Sequence, residues 1–171
     1  MAALVGFVYP GKGHREVIDA VARMGAVLDV AALGAASAGH EADLIALASH
    51  AESLGITFTA TGYISDDELF RLCRLAAVPI AAHQHLSASG SILAWLAAGR
   101  RPLVADSRYA REMQALRPGS MTLYAANAME AAIVAALSDP RSTILPTDID
   151  TAPHLPHVVT SYREWWNGLA W

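Results

Sequence analysis

Charge of either sign is scarce in this sequence. Only 16% of its 171 residues are Asp, Glu, Lys or Arg, and the formal net charge is −4. The densest basic pair is Arg100 and Arg101, which is far short of the basic stripe that binding a phosphate backbone requires. Nucleic acid is therefore excluded as a partner class. Long apolar runs are missing too: none reaches the roughly 18–20 residues needed to span a bilayer. Cysteine occurs once, as Cys73, so no disulfide forms within the chain. A reducing, cytoplasmic compartment is the expectation from that usage. Cys73 falls in an apolar helical pattern with Leu69, Phe70, Leu72 and Ala76, the setting of a small core residue rather than a reactive thiol. Residues 1–5 offer neither a basic n-region nor a cleavage site, so a secretory signal is not expected. Internal repeats and low-complexity blocks are absent. So is any Ser-His-Asp or Cys-His spacing, which leaves hydrolase chemistry without support.

What is present is apolar. Hydrophobic residues make up 54% of the chain, and the length suits one domain with a real core. Short apolar runs alternate with stretches of helical period. Strands are predicted at 4–9, 27–33, 56–60, 78–82, 102–105 and 121–124. Helices are predicted at 14–24, 42–54, 90–98 and 108–116. A further one runs from the capping box Ser65-Asp66-Asp67-Glu68 to about 76. A last regular helix is capped by Asn127 and ends before Asp139-Pro140. Six strands with crossovers predict an α/β, Rossmann-like three-layer domain around a six-stranded parallel sheet. Such sheets bind ligands beyond the carboxyl ends of their strands, near the switch point. Residues 1–140 are assigned to this domain. Residues 141–171 form an extension with Pro146, Pro153 and Pro156, ending in an aromatic helix that starts at Ser161. Its adjacent Trp165 and Trp166 require a surface to dock on.

The loops after strands one, three and four carry the candidate chemistry. The first is Gly6-Phe7-Val8-Tyr9-Pro10-Gly11-Lys12-Gly13. Gly11 and Gly13 allow close backbone approach, the following helix offers free N–H groups, and Lys12 adds a full charge. Against this anion cradle stands a tight turn with a solvated lysine. The stretch also approaches the P-loop pattern, but Gly13 occupies the place of the hydroxyl that would hold magnesium. The second cradle is Ser87-Ala88-Ser89-Gly90-Ser91-Ile92, where Ser87, Ser89, Gly90 and Ser91 open a helix. Ordinary N-capping by Ser89 is the competing explanation. Two cradles at adjacent strand ends would hold one diphosphate between them.

Three further sites are weaker. His83 and His85 lie at i, i+2, but no Cys, Asp or Glu nearby completes a metal site, so a place beside a cleft is favoured, with His83 bonding a sugar hydroxyl or a phosphate. Tyr63 and Ile64 follow strand three. They either floor a nucleobase, or Ile64 and Leu69 staple the Ser65 cap. Asp106 after strand five is either an acid-base group or a helix cap. His154 and His157 are expected at the surface.

The order of these motifs resembles the C-terminal donor-binding domain of GT-B glycosyltransferases of the group 1 kind, over about residues 4–140. Family members carry G-R-x-x-x-x-K-G after the first strand, matched by the Gly6 to Gly13 stretch. A D/E-E-L helix start is matched by Asp67-Glu68-Leu69, and A-x-G-x-P-V-V by Ala97-Ala98-Gly99-Arg100-Arg101-Pro102-Leu103-Val104. The resemblance implies that a nucleoside-diphosphate sugar is the donor substrate, with no further cofactor and no metal. It also implies a separate N-terminal acceptor-binding domain, against which the Trp165–Trp166 tail would pack. Three departures stand out. Phe7 replaces the family arginine that pairs with the lysine, and Leu86 and Ala94 stand where the family has two glutamates.

The implied function is glycosyl transfer to an acceptor the sequence does not name, a membrane-associated one included. Turnover by this chain alone is not expected, and catalytic residues are not identified. The departures keep two alternatives open: a catalytically silent domain that binds a glycan, nucleotide or partner, and an epimerase-like nucleotide-sugar domain. The tail would equally serve to seal a homodimer.

Overall fold

A computed structural model describes residues 1–25, 27–85 and 89–169. Six parallel strands lie in the order β3-β2-β1-β4-β5-β6. They are β1 (Ala2–Val5), β2 (Val30–Leu33), β3 (Phe58–Ala60), β4 (Val78–Ala81), β5 (Leu103–Ala105) and β6 (Thr122–Tyr124). The helices are α1 (His14–Met24), α2 (Glu41–Ser53), α3 (Asp66–Leu75), α4 (Gly90–Ala97), α5 (Arg108–Leu116), α6 (Met129–Ser138) and α7 (Leu155–Asn167). A 3-10 turn spans Pro140–Thr143. This is the α/β class that the alternation of strand and helix predicts.

Every residue of β1, β2 and β4 is buried, because both faces of the sheet are covered. On one face Leu4, Val30, Ala32 and Ile80 pack with Val17, Ile18 and Val21 of α1, Leu47 and Ala51 of α2, and Ile133 and Ala136 of α6. On the other, Ala3, Val5, Ala31 and Leu33 meet Cys73 of α3 and Trp95 of α4. Ala3 and Ala31 are the small residues that leave room on this face for Trp95. Its ring is fully buried, and its indole N–H donates to the carbonyl of Ile80 at 3.3 Å. Ala81, Val104 and Met121 continue this face toward Ala110 of α5.

Several boundaries differ from those expected. β1 ends at Val5 rather than residue 9, because Gly6 turns the chain with a φ of +103°. Beyond it Val8 makes one isolated parallel bridge to Ala36. β2 begins at Val30, three residues late. Ala128, not Asn127, is the N-cap of α6, and it makes no side-chain cap bond. Ser65 does cap α3, accepting from the N–H of Glu68, whose carboxylate pairs with Arg71. The terminal helix starts at Leu155, six residues before Ser161. Pro156 sits in its first turn, where a missing N–H costs nothing. His154 and His157, both exposed, meet at its start, where the backbone N–H of His154 donates to Nδ1 of His157 at 3.0 Å.

Arg100 closes the end of the sheet opposite the loops that follow β1 and β4. It is buried and donates to the carbonyls of Cys73, Arg74 and Ala76 at 3.1, 2.8 and 2.6 Å, so a cation sits at the C-terminus of α3. It also holds Thr143 through both its carbonyl and its hydroxyl. Arg117 similarly ties the tail, donating to the carbonyls of Thr151 and Pro153.

Candidate functional site

The strand order reverses between β1 and β4, so the loops leaving their carboxyl ends diverge to opposite faces and leave a crevice. The β1–α1 loop enters that crevice from one side and the start of α4 from the other. Backbone and side-chain bonds stitch the two together. The N–H of Gln84 donates to the carbonyl of Gly11 at 2.9 Å, and the Gln84 amide donates to Glu16 in the first turn of α1.

Lys12 is the centre of the arrangement. Its Nζ lies 2.6 Å from Oγ of Ser91 and 2.8 Å from Nε2 of His83. Ser91 in turn donates to the carbonyl of Val5, the last residue of β1, at 2.8 Å. Gly6 makes room for this packing: a Cβ there would stand 3.1 Å from the ammonium. Lys12 is 6% exposed and is the only lysine in the sequence. It makes no salt bridge among the described residues. Burial without a counter-charge brings its pKa down to about 8.

Two neutral imidazoles share the site. Burial, and then the nearby Lys12 charge, lowers His83 to about 4. His14, the first residue of α1, is 2% exposed, and neither of its ring nitrogens has a partner. Burial lowers it to about 3, with smaller contributions from Lys12 and His83. At neutral pH the cluster thus carries one positive charge and no negative one. Nothing in the spacing of His14 distinguishes a buried first-turn histidine from a solvated one, so its place in the site is visible only in the fold.

The other predicted residues are placed as follows. Gly13 is the N-cap of α1, with a φ of +96° and no side chain to occupy the first-turn amides. Ser89 caps α4, accepting from the N–H of Ile92 at 3.2 Å. Gly90 opens that helix with nothing within 4 Å of a notional Cβ. Ser87 and Leu86 lie outside the described residues. Lys12, Gly13, His83, Ser89 and Ser91 are all buried, and the bonds above gather Lys12, His83 and Ser91 around one point. Tyr63 and Ile64 stand apart on the loop after β3, the edge strand, with Tyr63 92% exposed and Ile64 half-buried. His85 is exposed. Phe7 is exposed beside the first loop, and Ala94 packs on the apolar cluster around Trp95.

A groove of about 350 Å³ runs along the outer side of the first loop, lined by Tyr9, Gly11, His14, Glu16, Asp43 and Gln84 among others. Among the described residues, no three His, Cys, Asp or Glu side chains converge as metal ligands would. No helix among them is long and apolar enough to cross a membrane.

No family model and no curated protein matches the sequence. Solved structures do match the fold. One is HepE of Anabaena in complex with UDP and glucose, with a TM-score of 0.70 and 18% identity over 83% of this chain and 40% of that one. A second complex of the same protein, with UDP-glucose, gives 0.63 at 17% identity, with the same 83% and 40% covered. AviGT4, a glycosyltransferase involved in avilamycin A biosynthesis, gives 0.66 at 15% identity over 99% of this chain and 53% of that one. The chain therefore spans about half the length of these structures or less. Its fold is that of part of a GT-B glycosyltransferase, in agreement with the order of its motifs.

Proposed function

We propose that this chain is the donor-binding portion of a glycosyltransferase, and that Lys12 holds the diphosphate of a nucleoside-diphosphate sugar. One observation carries the reading: a buried ammonium, without a carboxylate partner among the described residues, stands where the β1–α1 loop meets the start of α4, at the switch point of the sheet. A buried charge is costly unless paired, so the site is incomplete without an anion. The amides behind Gly11 and Gly13, and those of Ser89, Gly90 and Ser91, supply further donors at two helix starts. Ser87, outside the described residues, is assigned to the same cradle on its place in the sequence. Negative charge grows on the leaving diphosphate as the glycosidic bond breaks. Fixed donors aimed there therefore lower the barrier, with no metal needed as counter-charge. Tyr63 and Ile64 are assigned to the nucleobase side, and His83 and His85 to the sugar and phosphate side. The acceptor, membrane-associated or otherwise, would sit on a second domain. The part of the neighbours that this chain does not cover supports such a domain.

The test is a thermal-shift panel of nucleoside diphosphates, followed by calorimetry on the responding one. Lys12→Ala should weaken UDP or GDP binding by roughly 1–3 kcal/mol, about 5- to 150-fold. Equal binding by the variant and the wild-type chain would refute the role given to Lys12. A catalytically silent nucleotide-binding module is the second reading. It is favoured by Ala94, whose place on α4 is filled by apolar packing with no carboxylate. A chain that binds UDP tightly yet supports no sugar transfer when joined to an acceptor-binding partner domain would decide for it.

A further inference from the structure

His83 has one ring nitrogen whose role is fixed and one whose role is open. The Ser91 hydroxyl gives its proton to the carbonyl of Val5, so its oxygen can only accept from Lys12. The Lys12 ammonium has donors and no acceptor, so Nε2 of His83, 2.8 Å away, must accept as well. A neutral imidazole that accepts at Nε2 carries its proton on Nδ1. That Nδ1–H is buried and has no hydrogen-bond partner among the described residues. Buried donors in native proteins are almost always paired, so one left open marks a missing acceptor. The surroundings define its charge. Lys12, His14 and His83 gather beside the first residues of α4, and among the described residues no carboxylate bonds to Lys12 or His83. The one charge gathered there is the Lys12 ammonium, and a positive field favours an anionic oxygen over a neutral hydroxyl as the missing acceptor.

We propose that His83 contacts the ligand directly, its Nδ1–H donating to a phosphate oxygen of the bound nucleoside diphosphate, and that Lys12 is the positioning residue that fixes this tautomer. This rests on the nucleotide-binding reading above and assigns one atom within it. Lys12 then acts twice, as counter-charge and as the group that turns its neighbour into a donor.

The test uses the whole chain, UDP and inorganic pyrophosphate. Long-range ¹⁵N–¹H correlation spectra should show His83 neutral and protonated at Nδ1 at pH 7. The Nε2–H tautomer or an imidazolium there would overturn the proposal. Two variants separate the ring nitrogens. His83→Asn keeps an amide donor where Nδ1 stands, and His83→Gln keeps an acceptor for Lys12 where Nε2 stands. The Asn variant should bind UDP and pyrophosphate within about threefold of wild type, and the Gln variant about tenfold or more weakly, as loss of a hydrogen bond to a charged group predicts. Four binding results would overturn the assignment while leaving the nucleotide-binding reading intact. These are retention by Gln with loss in Asn, equal losses in both, no loss in either, and a loss seen with UDP-glucose but not with UDP or pyrophosphate. Absence of any UDP or pyrophosphate binding by the wild-type chain would remove both proposals together.

Discussion

The carbonyl oxygen of Ala82 stands 2.2 Å from the point where a Cβ on Gly13 would lie. The loop that carries Lys12 is thus pressed against the chain leaving β4, and only a glycine fits between them. Gly13→Ala should cost roughly 2–4 kcal/mol in urea denaturation, from positive-φ strain and forced separation of the two loops. Gly39 shares the positive φ, but nothing lies within 4 Å of it. Gly39→Ala should therefore cost about 1 kcal/mol, the backbone share alone. Equal costs at the two positions would show that the contact with Ala82 is not rigid.

Lys12 gives stability a pH dependence of known sign. Its pKa is about 8 in the folded chain against an ordinary 10.5. Between those values the unfolded chain holds a proton that the folded chain has released, so stability rises with pH across that window. The gain from pH 8 to pH 10 should be on the order of 1–3 kcal/mol relative to Lys12→Met, which lacks the group. Parallel urea midpoints of the two proteins at both pH values measure it, and parallel pH trends would contradict a buried, proton-releasing lysine.

The six strands, the crossovers that make their sheet parallel and the helix starts were legible because they rest on local signals: alternation, glycine, and Ser65 and Ser89 at helix entries. What was illegible depends on contacts across the chain. Lys12 meets Ser91 across 79 residues, and no spacing rule distinguishes a lysine that turns inward from one that stays in water. The end of β1 was misplaced because Phe7, Val8 and Tyr9 continue the apolar run past Gly6. The start of α7 was hidden because Pro153 and Pro156 suggest irregular chain, although a proline in the first turn is compatible with a helix.

Arg100 should matter to folding and not to ligand. Its guanidinium serves the α3 carboxyl end and Thr143 together, away from the Lys12 crevice. Arg100→Ala should lower stability by about 2–4 kcal/mol, because several buried carbonyls lose their donor at once. Arg100→Lys should recover less than half of that, since an ammonium cannot reproduce the planar fork. UDP affinity at a temperature where both variants are folded should change less than about twofold.

The terminal helix is separable. None of the described residues of α7 is buried, and Val158, Val159, Tyr162, Trp165 and Trp166 are exposed on it. Ending the chain at His154 keeps the Arg117 anchors on Thr151 and Pro153. The shortened chain should keep its unfolding free energy within about 1 kcal/mol and bind much less of an apolar fluorescent dye. A large loss of stability would place α7 in the core of the isolated chain.

A lone lysine has a practical corollary. Acylating or reductively methylating reagents meet one side-chain amine in this sequence, and it is the one at the centre of the crevice. Mass spectrometry of the labelled peptide then becomes a footprint of occupancy. Any compound that seats itself against that amine slows its labelling further, and the unfolded chain, in which the amine is open to reagent, serves as the reference.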